Sequence, residues 1–176
     1  MRRALLIGRF QPFHRGHLEA LQRIAGEFDR VVVGIGSAQE SHTLKNPFTA
    51  GERYLMMEAA LDEAGVANVR LVPIPDMNRN AVWVSHVRSL VPPFDVFFTN
   101  NSLPRRLFEE AGFAVHSIPF VTRDRLEGTT IRRLMLTGGA WEELVPPATA
   151  RVIRDLGGIE RLRILAEEDR APSPVA

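Results

Sequence analysis

Five short apolar runs alternate with stretches of helical periodicity, and that alternation limits this chain to very few architectures. Ala4-Leu5-Leu6-Ile7 ends at Gly8, and similar runs follow at 31–35, 69–74, 95–99 and 114–117. Runs of this length suit strands buried on both faces of a parallel sheet. Between them, residues 17–28 carry Leu18, Leu21, Ile24, Ala25 and Phe28 at helical spacing. Residues 51–64 predict a second helix with Leu55, Met56, Ala59, Ala60 and Leu61 turned inward. Shorter helices are expected at 81–90, stopped by Pro92-Pro93, and at 103–111. Residues 130–136 open a helical C-terminal region, and the Pro-rich end, 171–176, is expected to be a mobile tail. The order predicts an α/β fold: a doubly wound parallel sheet of about five strands in one domain, residues 1–170. In such sheets ligands lie beyond the carboxyl ends of the strands, so the loops after the strands carry the information.

Composition mainly excludes. With no cysteine there is no disulfide scaffold, thiolate metal site or cysteine nucleophile. A formal net charge of +1 gives no overall field toward nucleic acid or an anionic membrane, so anion binding must come from local placement. Lys45 is the one lysine among 22 basic residues, a bias read mainly as genomic coding. Met1-Arg2-Arg3 and the apolar run after it resemble a signal peptide superficially, but the run ends at Arg9 without a small-residue cleavage site. No apolar stretch is long enough to span a bilayer, and a cytoplasmic location is expected.

The loop after the first strand carries the chemistry. In Gly8-Arg9-Phe10-Gln11-Pro12-Phe13-His14-Arg15-Gly16-His17, Gly8 permits a sharp turn and Gly16 a close approach to the next helix. The N-terminus of that helix offers free N–H groups and partial positive charge, which suit phosphate. His14 and His17, three residues apart, can both reach one polyphosphate, and Arg9 adds a forked cation. The competing explanation is a capped turn with two surface histidines.

His14-Arg15-Gly16-His17 matches the His-x-Gly-His signature of the nucleotidyltransferase superfamily. The wider string from Gly8 resembles the archaeal-type nicotinamide-mononucleotide adenylyltransferases. Gly128-Thr129-Thr130-Ile131-Arg132-Arg133 is similar to that superfamily's Ser/Thr-rich turn leading to an Arg, with Gly128 and Thr129 where serines are usual. Taken alone, this turn also reads as an N-cap threonine and a solvated arginine. Gly36-Ser37-Ala38-Gln39, 47–53, 80–84 and 123–125 are further blocks of the archaeal-type pattern. By contrast, the stretch 31–39 starts like a dinucleotide fingerprint, but Gln39 stands where the third glycine belongs, so a redox Rossmann fold is rejected.

The resemblance implies a Rossmann-like fold and a roster of roles. His14, His17 and Arg132 would hold the triphosphate of ATP, and Arg9 the reacting phosphate. Thr129 and Thr130 belong to the same turn, Ser37 and Gln39 to the second-strand block. The implied reaction is in-line attack by the acceptor's phosphate on the α-phosphorus, with Mg²⁺ arriving on ATP and no protein-held metal. The implied acceptor is nicotinamide mononucleotide, giving NAD, with Trp83 stacked on the pyridine ring and Asn80 near its carboxamide. Phe10, Gln11 and Phe13 can shape the same pocket, with core packing the equal alternative for both phenylalanines. Asn101 would approach the nucleoside, or else simply form a turn with Asn100. Lys45 stands where related enzymes often carry Arg, and Arg123 is expected near phosphate or as a solvated loop charge. Glu52 and Arg53 would pair or hold a helix start, while His42, His86 and His116 read as structural or surface residues. Homo-oligomers, often hexamers, are implied. The alternatives are a related enzyme with another acceptor (phosphopantetheine, FMN or a sugar phosphate) and a non-catalytic nucleotide sensor on the same fold.

Overall fold

A computed structural model describes residues 1–119 and 127–170. Strands β1 (Arg3–Gly8), β2 (Arg30–Ile35), β3 (Val69–Pro73), β4 (Val96–Phe98) and β5 (Ala114–His116) form one parallel sheet in the order β3-β2-β1-β4-β5. Helices α1 (Arg15–Glu27), α2 (Ala50–Glu63), α3 (Asn80–Leu90) and α4 (Ser102–Glu110) connect them, and α5 (Gly128–Thr137), α6 (Pro147–Asp155) and α7 (Gly158–Arg170) follow. The strand runs and helical patterns predicted from sequence are all present, shifted by one or two residues at their ends. The alternation of faces along each strand splits the apolar side chains into two layers. Leu6, Val31, Val33, Val96 and Phe98 join Leu21, Ile24, Met56, Ile131 and Ile153 in one cluster. Leu5, Val32 and Phe97 join Val87, Phe94 and Phe108 in the other. The sheet is therefore covered on both sides. The order reverses between β1 and β4, which puts the topological switch at the end of β1.

Helix α2 departs from the inward face expected of it. Leu55 is exposed, whereas Arg53 and Met57 are fully buried. The reason is a second cover: α6 packs along α2, and Thr149 donates from its hydroxyl to the Met56 carbonyl at 3.2 Å. With the sheet on one side and α6 on another, the buried face of α2 is wider than a single stripe. The expected tail, 171–176, lies outside the described residues. Among the described residues, no helix is long and apolar enough to cross a membrane.

Candidate active site

Gly8 closes β1, and the chain turns immediately: a Cβ there would come within 2.8 Å of the Phe10 ring. Phe10 adopts φ 51°, and Ser37, after β2, adopts φ 47°. These left-handed conformations cost a non-glycine residue about 1–3 kcal/mol each, so the surroundings must hold them. The Gln11–Pro12 peptide is cis. His14 then caps α1 with a capping box in which both partners are imidazoles. The His17 N–H donates to the His14 Nδ1, and the His14 N–H donates to the His17 Nδ1, each at 3.3 Å. The rings stack with centroids 3.4 Å apart, and Phe13 and Phe10 pack on His17.

This arrangement fixes the protonation of both rings. Each Nδ1 accepts a hydrogen bond, so a neutral ring carries its hydrogen on Nε2, which is then the free donor. Burial pushes the His14 pKa down to about 4. Burial, and then the charge of His14, hold His17 well below the usual histidine value. The pair is thus two neutral Nε2–H donors at neutral pH. The same capping corrects an expectation: the N-terminal amides of α1 are partly taken up by its own histidines.

Beside this loop, the start of α5 has no side-chain cap among the described residues. Its N-cap, Glu127, makes no side-chain capping bond, and Thr129 sits inside the helix, so no threonine caps it. Arg132, in the second turn, folds back toward the helix start, donating from Nη1 to the Gln11 carbonyl at 2.6 Å and from Nη2 to Thr129 Oγ1 at 3.3 Å. A Cβ at Gly128 would meet that Gln11 carbonyl at 2.9 Å, so glycine lets α5 start against the loop. Burial, and then Arg9, lower the pKa of Arg132. Arg9, His14, His17, Lys45, Gly128, Thr129 and Arg132 line one open cleft of about 200 Å³. The histidines also wall an adjoining apolar pocket of about 220 Å³, with Leu6, Ile7, Gly8, Phe10, Gly16, Ala20 and Ile118. A cationic, donor-rich cleft beside an apolar slot fits a polyphosphate attached to a flat base.

Residues 5–134 match the family described as cytidylyltransferase-like. A nicotinamide-nucleotide adenylyltransferase from Picrophilus torridus is 56% identical over 167 residues, 95% of this chain and 99% of the relative. Those from Thermoplasma volcanium and Pyrococcus furiosus are 54% and 51% identical, covering 95% and 94% of this chain and 94% and 90% of their own lengths. The chain belongs to the nicotinamide-nucleotide adenylyltransferase family. A solved bifunctional NMN adenylyltransferase/ADP ribose pyrophosphatase from Francisella tularensis has the same fold, with TM-score 0.74, 22% identity and 96% of this chain covered. This chain spans 53% of that longer one.

Against this family's pattern, the remaining residues separate clearly. Gln11 is buried and bonded at both ends of its amide: its Nε2 donates to the Phe48 carbonyl at 2.7 Å and its Oε1 accepts from the Phe48 N–H at 3.0 Å. Its side chain ties the first loop to the start of α2, and Gln11 also lines the cleft. Phe13 has no exposed surface and belongs to the core, whereas Phe10 lines both cavities. Gln39 pairs with Asp76, accepting its N–H at 2.8 Å and so joining the loops after β2 and β3. Thr130 lies in the first turn of α5. Asn80 and Trp83 stand on α3, which follows β3, and Asn101 stands just before α4, which follows β4; none of the three lines the cleft. Trp83 is half-buried and meets Phe108 edge-on at 5.5 Å. Asn100 brackets Ile118, accepting its N–H at 3.0 Å. Arg123 lies outside the described residues. Glu52 does not pair with Arg53: it caps α2 with Thr49 and forms a two-bond pair with Arg161 at 2.6 and 2.7 Å. Among the described residues no three His, Asp or Glu side chains gather to hold a metal.

Proposed function

We propose that the chain is an adenylyltransferase that makes NAD and pyrophosphate from ATP and nicotinamide mononucleotide. The observation that carries this reading is the pair of neutral imidazoles, each with Nδ1 occupied and Nε2–H free, gathered with Arg9, Lys45 and Arg132 around one cleft. That donor set suits a triphosphate, and the apolar pocket behind the histidines suits adenine. An oxygen of the acceptor's phosphate attacks the α-phosphorus in line. The new P–O bond forms as the bond to the β-phosphate's bridging oxygen breaks, and pyrophosphate leaves. The attacking phosphate is already ionised near neutral pH, so no base is required. Catalysis rests on alignment and on donors aimed at the oxygens where charge accumulates. His14, His17 and Arg132 hold the triphosphate, the α5 amides and Thr129 add neutral donors, and Arg9 serves the reacting phosphate. Lys45 closes the cleft as a mobile point charge.

In this reading magnesium arrives with the substrate, as Mg·ATP, at a cleft whose charged lining residues are cationic. The acceptor ring is assigned to Trp83, and a homo-oligomeric assembly in the cytoplasm completes the reading. The deciding experiment is NAD formation from ATP and nicotinamide mononucleotide with Mg²⁺, run against FMN and phosphopantetheine. Exclusive turnover of another acceptor overturns the choice of acceptor. ATP binding with zero turnover favours a sensor.

A further inference from the structure

Arg53 is the largest fully buried side chain in the described structure, and it has no carboxylate partner among the described ion pairs. Its guanidinium is instead surrounded by main-chain carbonyls. Nη1 donates to Arg9 O at 2.8 Å and Gly36 O at 2.7 Å, Nη2 to Ser37 O at 3.0 Å, and Nε to Thr49 O at 3.1 Å. Burial lowers its pKa to about 10, which leaves it charged at neutral pH. A buried charge with no carboxylate in direct contact, favoured only by the more distant charge of Asp76, is poor value for stability alone, since an apolar side chain of similar volume commonly serves as well. What the fork grips is informative. The Arg9 carbonyl shares a rigid peptide plane with the Phe10 N–H, and the Gly36 carbonyl shares one with the Ser37 N–H. Phe10 and Ser37 are the two left-handed residues at the ends of adjacent strands β1 and β2.

We infer that Arg53 is a positioning residue for adenylyl transfer: from inside the core it fixes both strained turns, and through them the direction of Arg9. The inference rests on the adenylyl-transfer reading. Only a planar five-donor fork can serve four carbonyls set around it; the single ammonium of lysine cannot. A second arginine, Arg105 of α4, works similarly on the other half of the sheet, donating to Thr99 O at 3.1 Å and Val115 O at 3.3 Å, but it is partly exposed and distant from Arg9 in the chain.

The test combines Arg53→Lys with Arg9→Lys. Arg53→Lys should melt cooperatively, lose about 100-fold in kcat and keep its KM for ATP within about threefold, because misplacement of a catalytic group by an ångström has that effect. In the double variant the two losses should fail to multiply, since both act through one guanidinium. Hydrogen exchange of peptides spanning residues 8–13 and 35–39 should speed up at least tenfold in Arg53→Lys, with the rest of the sheet unchanged. Multiplying losses, an unchanged kcat, or unchanged exchange in those two turns overturns the inference. So does failure of both Arg53→Lys and Arg53→Gln to fold, which would make Arg53 a support of the whole fold. If the wild type makes no NAD, the reaction assigned above fails, whereas the exchange data still decide what Arg53 holds.

Discussion

At the scale of single residues, the two histidines are the clearest case of sequence and structure answering different questions. Their spacing and position announced an anion site, but which ring nitrogen is free followed only from the reciprocal cap. That cap makes them donors, and His17→Ala should lower kcat by about 100-fold or more while ATP affinity changes much less. Steady-state kinetics with varied ATP checks it; equal turnover would remove His17 from the mechanism. The depressed pKa of His14 also sets a pH dependence. Its folded value, about 4, lies below the ordinary 6.5, so between these the unfolded chain binds the proton more tightly. Stability is therefore fully present above pH 6.5 and falls as the pH drops toward 4, by on the order of 3 kcal/mol from this group. Urea melts at pH 7 and pH 4.5 should differ accordingly, and the difference should shrink in His14→Gln. That Gln11 is tied to Phe48 and that Phe13, not Phe10, lies wholly in the core were illegible for a related reason: a motif names the residues of a loop without saying which side chains face inward.

At the scale of elements, the alternation of strands and helices was readable because each strand is buried on both faces and each early helix has one apolar stripe. Helix α2 broke that logic. Its sequence reads as a helix covering one sheet, and nothing local reveals that α6 comes back to lie along it or that an arginine fills its core side. The pair between Glu52 and Arg161 was also hidden, because its partners lie on α2 and α7, 109 positions apart in the chain. Arg161 further donates to the Pro47 carbonyl at 3.1 Å, so α7 braces the segment that leads from Lys45 into α2. Arg161→Met should cost about 2 kcal/mol, because it leaves a partly buried Glu52 without its partner. Chemical denaturation measures the loss. Adding Glu52→Gln should recover part of it, and no recovery would mean that the arginine acts through packing alone.

At the scale of the whole molecule, charge is nearly balanced, so attraction for nucleotide is local to the cleft and not a property of the overall field. The apparent affinity for ATP should still weaken severalfold between about 50 and 500 mM salt, as the open cleft is screened. Titration calorimetry across that range tests it, and Lys45→Ala should flatten the dependence. The sheet order has a further consequence. His14 and His17 come from the half of the chain that supplies β1, β2 and β3, whereas Arg132 comes from the half that supplies β4 and β5, and the two halves meet where β1 pairs with β4 and where α6 and α7 pack on α2. Residues 75–82, which join the halves, are exposed. A protein cut there becomes a split enzyme: each fragment carries half of the phosphate grip, and activity returns only when the two complement one another by rebuilding the β1–β4 seam and the packing of α6 and α7 against α2.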